Sequence, residues 1–366
     1  MKICFLAGAN SIHSIRWIDF FEKQGHSIVW ISLAPPIDQA KELISRVTFY
    51  EISPSPLIDE NGRKALFYIP QAALKVKRII ERECPDIMQV HSVGTYGLIA
   101  ALSQFKNIIM TPWGSDILLA SPINKLLIKR ILKTSKHFTC DGQNTFDALI
   151  DYGITTEKIS IVRFGTNTEL FKQTEEKKEK NYCTVISLRS FEPVYNISHL
   201  IRACAIVLKK LPNTKFILAG SGSQHDELIA LTKSLKISQA VTFAGRIDAC
   251  ELPKLLNSSD IYVSTSLSDS GLAASTAEAM ACELPVIATS TGDNNKWIIP
   301  NKGGYLVTPN DDEALANSII ELAKNRHERE SFGAYNRSLI LEKNDYKTEM
   351  EKIEKIYFTH CKSTKL

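Results

Sequence analysis

The sequence is short of the features that mark several large classes of protein. No apolar run approaches the roughly 18 residues that a membrane-spanning helix needs, so no bilayer crossing is predicted. The opening, MKICFLAGAN, has neither the long apolar stretch nor the small-residue cleavage site of an export signal, and a cytoplasmic location is expected. The eight cysteines (Cys4, Cys84, Cys140, Cys183, Cys204, Cys250, Cys282 and Cys361) lie 21 or more residues apart. They form no C-x-x-C, and no histidine pair has zinc-ligand spacing, so they read as reduced thiols filling gaps in a core. Glycine (17) and proline (14) are at ordinary levels in 366 residues, and one short charged stretch is the only biased tract. Collagen-like and disordered chains are thereby excluded. A net charge of +4 falls short of the basic face used to hold nucleic acid, and no such partner is expected.

What is present is a chain with 44% apolar and 23% charged residues, long enough for about two globular domains. It opens as strand (KICFLAG), polar turn (ANSIHS), helix (IRWIDFFEKQG) and strand (HSIVWISL), a β-α-β unit. The alternation continues through QAALKVKRIIERECP, DIMQVH, GTYGLIAALSQF, KNIIMTPWG, SPINKLLIKRILKTS, KHFTCDG, NTFDALIDYG and KISIVRFG. Short buried strands alternating with helices argue an α/β chain with a parallel sheet covered on both faces. After Phe171 comes KQTEEKKEKN, which has no apolar residue and reads as a solvated linker. The pattern then restarts at YCTVISLRS and runs through TKFILAGSG, AVTFAGRI, IYVSTSLSD and PVIATST with helices interleaved. The expected organisation is a first domain over 1–171, a linker over 172–180, a second domain over 181–345, and a helical tail over 346–366 that crosses back to the first domain. Two α/β halves joined this way leave a cleft, and ligands of parallel sheets sit beyond the carboxyl ends of strands.

The informative loops are therefore those that follow strands. LAGAN (6–10) has one glycine, Gly8, and no G-x-G-x-x-G, which argues against a dinucleotide-dependent dehydrogenase. Gly8 fits either a close approach of backbone to ligand or a plain tight turn. His91 ends the strand DIMQVH at the expected cleft edge, where a histidine serves as a polar cap or as a ligand contact. His13 and Arg16 open the first helix beside that edge and are candidate acceptor contacts; Trp17 next to them suits the core. Gly114 and Asp116 in TPWGSDIL follow the next strand and either meet a ligand or cap a short helix. No acid occurs between Asp116 and Asp141, whereas Lys125, Lys129, Lys133 and Lys136 recur at helical spacing. One helix face of lysines is either simply solvated or suited to an anionic membrane surface.

The most specific stretch is SDSGLAASTAEAMACELPVIATSTGDN (268–294), in which small residues lead into a helix carrying Glu278. Free N–H groups at such a helix start can meet an anion, while a carboxylate can accept hydrogen bonds from ribose hydroxyls. This stretch resembles the E-A-M-A-x-G-x-P-V-I hallmark of the family 4 retaining glycosyltransferases, here Glu278-Ala-Met-Ala-Cys-Glu-Leu-Pro-Val-Ile287. FGTNTELF (164–171), ILAGSG (217–222), VTFAGRI (241–247) and SSDIYVSTS (258–266) match further elements of that family in the same order. The resemblance spans about 300 residues. It implies the GT-B fold, two facing Rossmann-like domains with a nucleotide sugar in the cleft, and a hexosyltransferase of the bacterial surface-glycan type.

By that resemblance Glu278 holds the ribose, Arg246 and Ile247 border the base, Arg189 neutralises the diphosphate, and His91 faces the donor sugar. Gly8, Gly220, Ser270, Gly271, Leu272 and Ala273 complete the donor site. The implied co-substrate is a nucleoside-diphosphate sugar, a UDP-sugar first among them, with no other cofactor and no metal; no D-x-D pair is present, and Asp311-Asp312 look like a helix cap. The implied partner is a glycan or a lipid-linked acceptor at the inner membrane face. The chain departs from the family at three places: Ser270 stands eight residues before Glu278 where the family has a first Glu, with Asp269 one residue further back; Tyr195 stands where a diphosphate-binding Lys is usual; and Asp293 replaces a second Gly. A hydrolase or epimerase of nucleotide sugars on the same fold, and a non-catalytic nucleotide-sugar-binding module, are the competing classes.

Overall fold

Continuous apolar runs such as ICFL and IVWI cannot leave one strand face in water, and they form all-parallel sheets in the computed structural model of the protein. The structure describes residues 1–52, 65–118, 121–174, 181–269 and 271–362; Ser270 and residues 175–180 of the expected linker lie outside the described residues. The chain divides into two units, Met1–Arg163 together with Glu349–Leu366, and Phe164–Thr348.

The first unit holds β1 (Lys2–Leu6), β2 (Ser27–Ser32), β3 (Thr48–Glu51), β4 (Ile87–His91), β5 (Ile108–Thr111), β6 (His137–Cys140) and β7 (Ile159–Ile161). They lie in the order β3-β2-β1-β4-β5-β6-β7, every pair parallel. Strand order reverses at β1 and β4, where Ile3 pairs with Ile28 on one side and Ile87 on the other. The last helix, Tyr346–Lys362, completes this unit's core: Met350, Ile353 and Tyr357 are fully buried, and the Tyr357 hydroxyl donates to Gln89 Oε1 at 2.8 Å.

The second unit holds β8 (Thr184–Ser187), β9 (Lys215–Ala219), β10 (Val241–Gly245), β11 (Ile261–Ser264), β12 (Val286–Thr289) and β13 (Gly304–Val307), in the order β10-β9-β8-β11-β12-β13, again all parallel. Its two cores follow the period of a strand. Val185, Val263 and Ile287 enter one cluster, while their neighbours Ile186, Tyr262 and Val286 enter the other. Asp311 caps the helix Asp312–Lys324 by accepting from Ala314 N at 2.9 Å, as the adjacent acids suggested. β13 was not anticipated. Its first residue must be glycine, because a Cβ on Gly304 would stand 1.7 Å from the Val286 carbonyl oxygen.

The unit boundary corrects the expected one. Residues 164–171 belong to the second unit, since Thr166 N donates to Asn344 O at 2.7 Å, Tyr346 N to Thr166 O at 2.9 Å, and Arg337 Nη1 to Phe171 O at 2.6 Å. These bonds satisfy buried backbone that has no strand of its own. The lysine face is also corrected. Its helix runs Pro122–Leu132 with Ser121 as N-cap, so Lys125 and Lys129 lie on it, Lys133 caps its end, and Lys136 lies past it where Lys136 N donates to Ile108 O.

Candidate functional site

Each sheet carries its candidate residues at the carboxyl ends of the strands where the order reverses, the place at which crossing connections leave a crevice. On the first unit these are the turn after β1 and the end of β4. Gly8 sits in a tight turn in which its carbonyl accepts from Ser11 N, and a Cβ there would meet Asn10 Oδ1 at 2.6 Å and the Tyr96 hydroxyl at 3.2 Å. Ser11 caps the helix Ile12–Lys23, which turns Ser14 inward so that its hydroxyl meets His91 Nδ1 at 2.9 Å.

His91 is enclosed by rings. Trp17 lies 4.8 Å away edge-on, Trp113 5.9 Å and Phe5 6.1 Å between centroids, and the residue is 2% exposed. Its Nε2 has no hydrogen-bond partner. Burial, assisted by His13, pushes the His91 pKa down to about 3. His13, edge-on to Trp113 at 5.8 Å, is itself pushed to about 4 by burial and then by Arg16. The sequence had singled out His91 but not Trp113, whose signal was a lone large side chain in a post-strand loop of small residues. Asp116 shapes that loop: Oδ1 accepts from Trp113 N at 2.9 Å and Oδ2 from Val93 N at 2.7 Å, so the carboxylate ties the turn after β5 to the turn after β4. Gly114 beside it takes a φ of +89°, open to glycine at little cost.

An acid-stability result follows from these histidines. The unfolded chain takes up a proton on His91 below the ordinary value of about 6.5. The folded state does so only near pH 3, so stability is complete above the unfolded pKa and is lost as pH falls below it. At pH 5 the loss from His91 comes to roughly 2 kcal/mol. Urea midpoints at pH 7 and pH 5 should differ accordingly, with the gap narrowed in His91→Gln; equal midpoints for the unsubstituted protein would refute the burial argument.

On the second unit a cavity of about 530 Å³ opens beyond β8, β9 and β10 and is lined by Arg189, Gly220, Arg246, Ile247, Ser275 and Glu278 among others. Five residues predicted separately from the sequence thus meet in one place. Gly220 allows the backbones to close, since a Cβ there would stand 2.3 Å from Arg189 O. The helix Ala274–Ala281 starts after Ala273, whose side chain makes no cap hydrogen bond to its first N–H groups. Glu278 lies one turn into that helix. Gly271, with φ of +66°, Leu272 and Ala273 lead into the helix. Gly8 belongs to the first unit.

Arg189 is 8% exposed and held on three sides. Nη2 donates to Asp269 Oδ1 at 2.5 Å and to Ser266 Oγ at 3.3 Å, and the Tyr195 ring lies against the guanidinium at 4.4 Å. Its Nε has no hydrogen-bond partner. Tyr195, the residue in place of a second cation, therefore stacks on the first one. Among the described residues no group of three or more His, Cys, Asp or Glu side chains is arranged to hold a metal ion, and no helix is long and apolar enough to cross a membrane.

Comparison with known proteins matches the chain to glycosyltransferases. The model for glycosyl transferases group 1 matches residues 167–339, and that for the glycosyl transferase 4-like family matches residues 2–142. N-acetyl-alpha-D-glucosaminyl L-malate synthase of Bacillus anthracis is 24% identical over 354 residues, covering 92% of this chain and 90% of the relative. Alpha-monoglucosyldiacylglycerol synthase of Streptococcus pneumoniae is 28% identical over 210 residues, 54% of this chain and 46% of the relative. Among solved structures, HepE of Anabaena in complex with UDP and glucose superimposes with a TM-score of 0.80 at 17% identity, covering 98% of this chain and all of that one.

Proposed function

This chain belongs to the group 1 glycosyltransferases, hexosyltransferase-type enzymes of the GT-B fold, and we propose that it moves a sugar with retention of configuration from a UDP-sugar to a glycan or lipid-linked acceptor. The observation that carries this reading is the meeting of Arg189, Gly220, Arg246, Ile247 and Glu278 in one cavity at the strand ends. The pocket offers a carboxylate for ribose hydroxyls, a cation for the diphosphate and uncapped helix N–H groups for its oxygens. That HepE is a UDP complex favours uridine as the base.

In the proposed reaction the bond between the anomeric carbon and the phosphate oxygen breaks, and the acceptor oxygen bonds to that carbon from the same face. The departing phosphate oxygen takes the acceptor's proton, so no protein base is required. His91 suits this scheme, because a group whose pKa lies near 3 is a weak proton acceptor at neutrality. Its proposed role is to orient the donor sugar and not to act as a base. His13, Arg16 and Gly114 lie on the same side of the first sheet and remain the proposed acceptor contacts. The test is a panel of nucleotide sugars assayed for released nucleoside diphosphate with and without acceptors. Release that needs an acceptor supports transfer; release without one points to hydrolysis, and binding without release to a non-catalytic module.

The domains are proposed to divide labour as the sequence suggested, with acceptor on the first and nucleotide sugar on the second. A lipid-linked acceptor gains support from the surface of the first unit. Leu126, Leu127, Leu118 and Ile150 are 57%, 42%, 38% and 37% exposed beside Lys125 and Lys129, and a groove of about 450 Å³ is lined by Leu118, Lys125, Leu126, Lys129 and Tyr152. Exposed leucines next to lysines suit the headgroup layer of an anionic membrane, with each cation contributing on the order of 1 kcal/mol. Lys133, exposed at the helix end, adds to the charge, whereas Lys136 is half-buried and contributes less. Co-sedimentation with anionic vesicles should be lost in Lys125→Glu/Lys129→Glu and weakened by salt, screening acting over a Debye length of about 10 Å at 0.1 M. Equal recovery on neutral vesicles would refute the electrostatic part.

A further inference from the structure

The cradle for the diphosphate is unusual in its charge. Two arginines, Arg189 and Arg246, line the cavity, but Glu278 lines it as well, and Arg189 already carries an internal anion, the Asp269 carboxylate at 2.5 Å. Tyr195 brings no charge where a second cation would be expected. The local sum is therefore near zero, in a place meant for a dianion.

Asp269 is not there by looseness of its loop. Ser266 O accepts from both the Thr289 and Thr291 hydroxyls, at 2.5 and 3.0 Å, and Ser266 Oγ donates to Ser268 O at 3.0 Å. Leu267 N donates to Val194 O at 2.7 Å, and the Thr265 hydroxyl donates to Tyr195 O at 2.9 Å, so the loop carrying Asp269 is bonded to the turn carrying Tyr195. Gly292 closes the other side, for a Cβ there would stand 2.1 Å from Asp269 O. Both members of the pair are largely buried, with side chains 9% and 8% exposed. Burial pushes the Asp269 carboxyl above its ordinary value, and Arg189 and Ser266 act against that rise.

We propose that Asp269 is a built-in counter-ion of Arg189 that weakens the hold of this site on the nucleoside diphosphate, so that the product is released rather than retained. Asp269 acts through Arg189 and does not itself touch the donor. A guanidinium shared with a fixed carboxylate still lines the cavity and turns positive charge toward a phosphate there. Its field at the diphosphate is offset by a negative charge one hydrogen bond away. In the transition state the leaving oxygen gains charge, and Arg189 responds without having to be recruited. In the product complex, Asp269 repels the same diphosphate. The inference rests on the reading of the cavity as a nucleotide-sugar site.

The experiment measures UDP and uridine binding by calorimetry in the unsubstituted protein and in Asp269→Asn, which keeps an acceptor for Arg189 Nη2 and removes the charge. UDP should bind roughly tenfold tighter or more in the variant, the size expected for one charge a few ångströms from a dianion at a partly screened surface. Uridine, which has no phosphate, should bind equally to both, and this also certifies that the variant's site is folded. Asp269→Glu should restore the unsubstituted UDP affinity. If Asp269→Asn loses uridine binding, Asp269→Ser reads the same quantity with a smaller side chain. UDP affinity unchanged or lowered with uridine affinity intact overturns the counter-ion role. Failure of the unsubstituted protein to bind UDP or any other nucleoside diphosphate sinks the nucleotide-sugar reading instead.

Discussion

Replacing Arg189 should cost turnover far more than donor binding, with kcat falling on the order of 100- to 1000-fold, the range for removing one preorganised group that meets charge developing in a transition state. The guanidinium sits at the end of β8 with Nη2 held by Asp269 and Ser266 and one face on Tyr195, so it is oriented before any substrate arrives. Only an interaction that strengthens as the glycosidic bond breaks raises kcat, and the departing diphosphate is where charge accumulates. The choice of variant matters. Arg189→Ala alone leaves the buried Asp269 carboxylate without its cation, and such a broken pair costs about 3 to 5 kcal/mol of stability. Arg189→Gln combined with Asp269→Asn keeps the pair neutral and separates lost chemistry from lost folding. Steady-state kinetics at saturating donor decide the matter: a change confined to KM would leave Arg189 a positioning role and remove it from leaving-group stabilisation.

Glu278→Ala should weaken UDP binding by about 1.5 to 3 kcal/mol, the net contribution of hydrogen bonds to a charged group. The residue lies within the helix Ala274–Ala281 and faces the same cavity as Arg246 and Ile247. Melting curves of the two proteins separate lost nucleotide affinity from lost folding. Pyrophosphate, which has no ribose, should bind the variant as well as it binds the unsubstituted protein. Calorimetry with UDP and pyrophosphate checks this, and equal UDP affinity in the two proteins would remove Glu278 from the ribose site.

Much of the architecture could be read along the chain because it is written in local period. Runs such as ICFL and IVWI in the first sheet and IYV and VIA in the second are apolar on both faces, the mark of strands inside a covered parallel sheet. Asp311 as a cap, Glu278 on a helix and Arg189 at a strand end are likewise local facts, and it was the resemblance to the family that implied a common site for Arg189, Gly220, Arg246, Ile247 and Glu278. Elements whose signal is not periodic were missed or misjudged. Thr48–Glu51 is a half-exposed edge strand and Gly304–Val307 is four residues behind a pair of glycines, so neither shows a buried run. The lysine pattern continues past Leu132 in spacing, but the chain has to turn there to enter β6, and that demand comes from the sheet.

The arrangements that give these two groups of residues their chemistry have no trace in spacing. Arg189 and Asp269 are 80 residues apart and meet because β8 and β11 are neighbours where the strand order reverses. His91 becomes a neutral, buried ring because Trp17 and Trp113 arrive from a helix and a loop far from it in sequence. Periodicity records which side of an element avoids water, since that preference acts residue by residue. Which charged or aromatic groups then face one another, and with what pKa, follows from how strands are ordered and loops stacked, because Coulomb energy and desolvation depend on distances through space and not on distances along the chain.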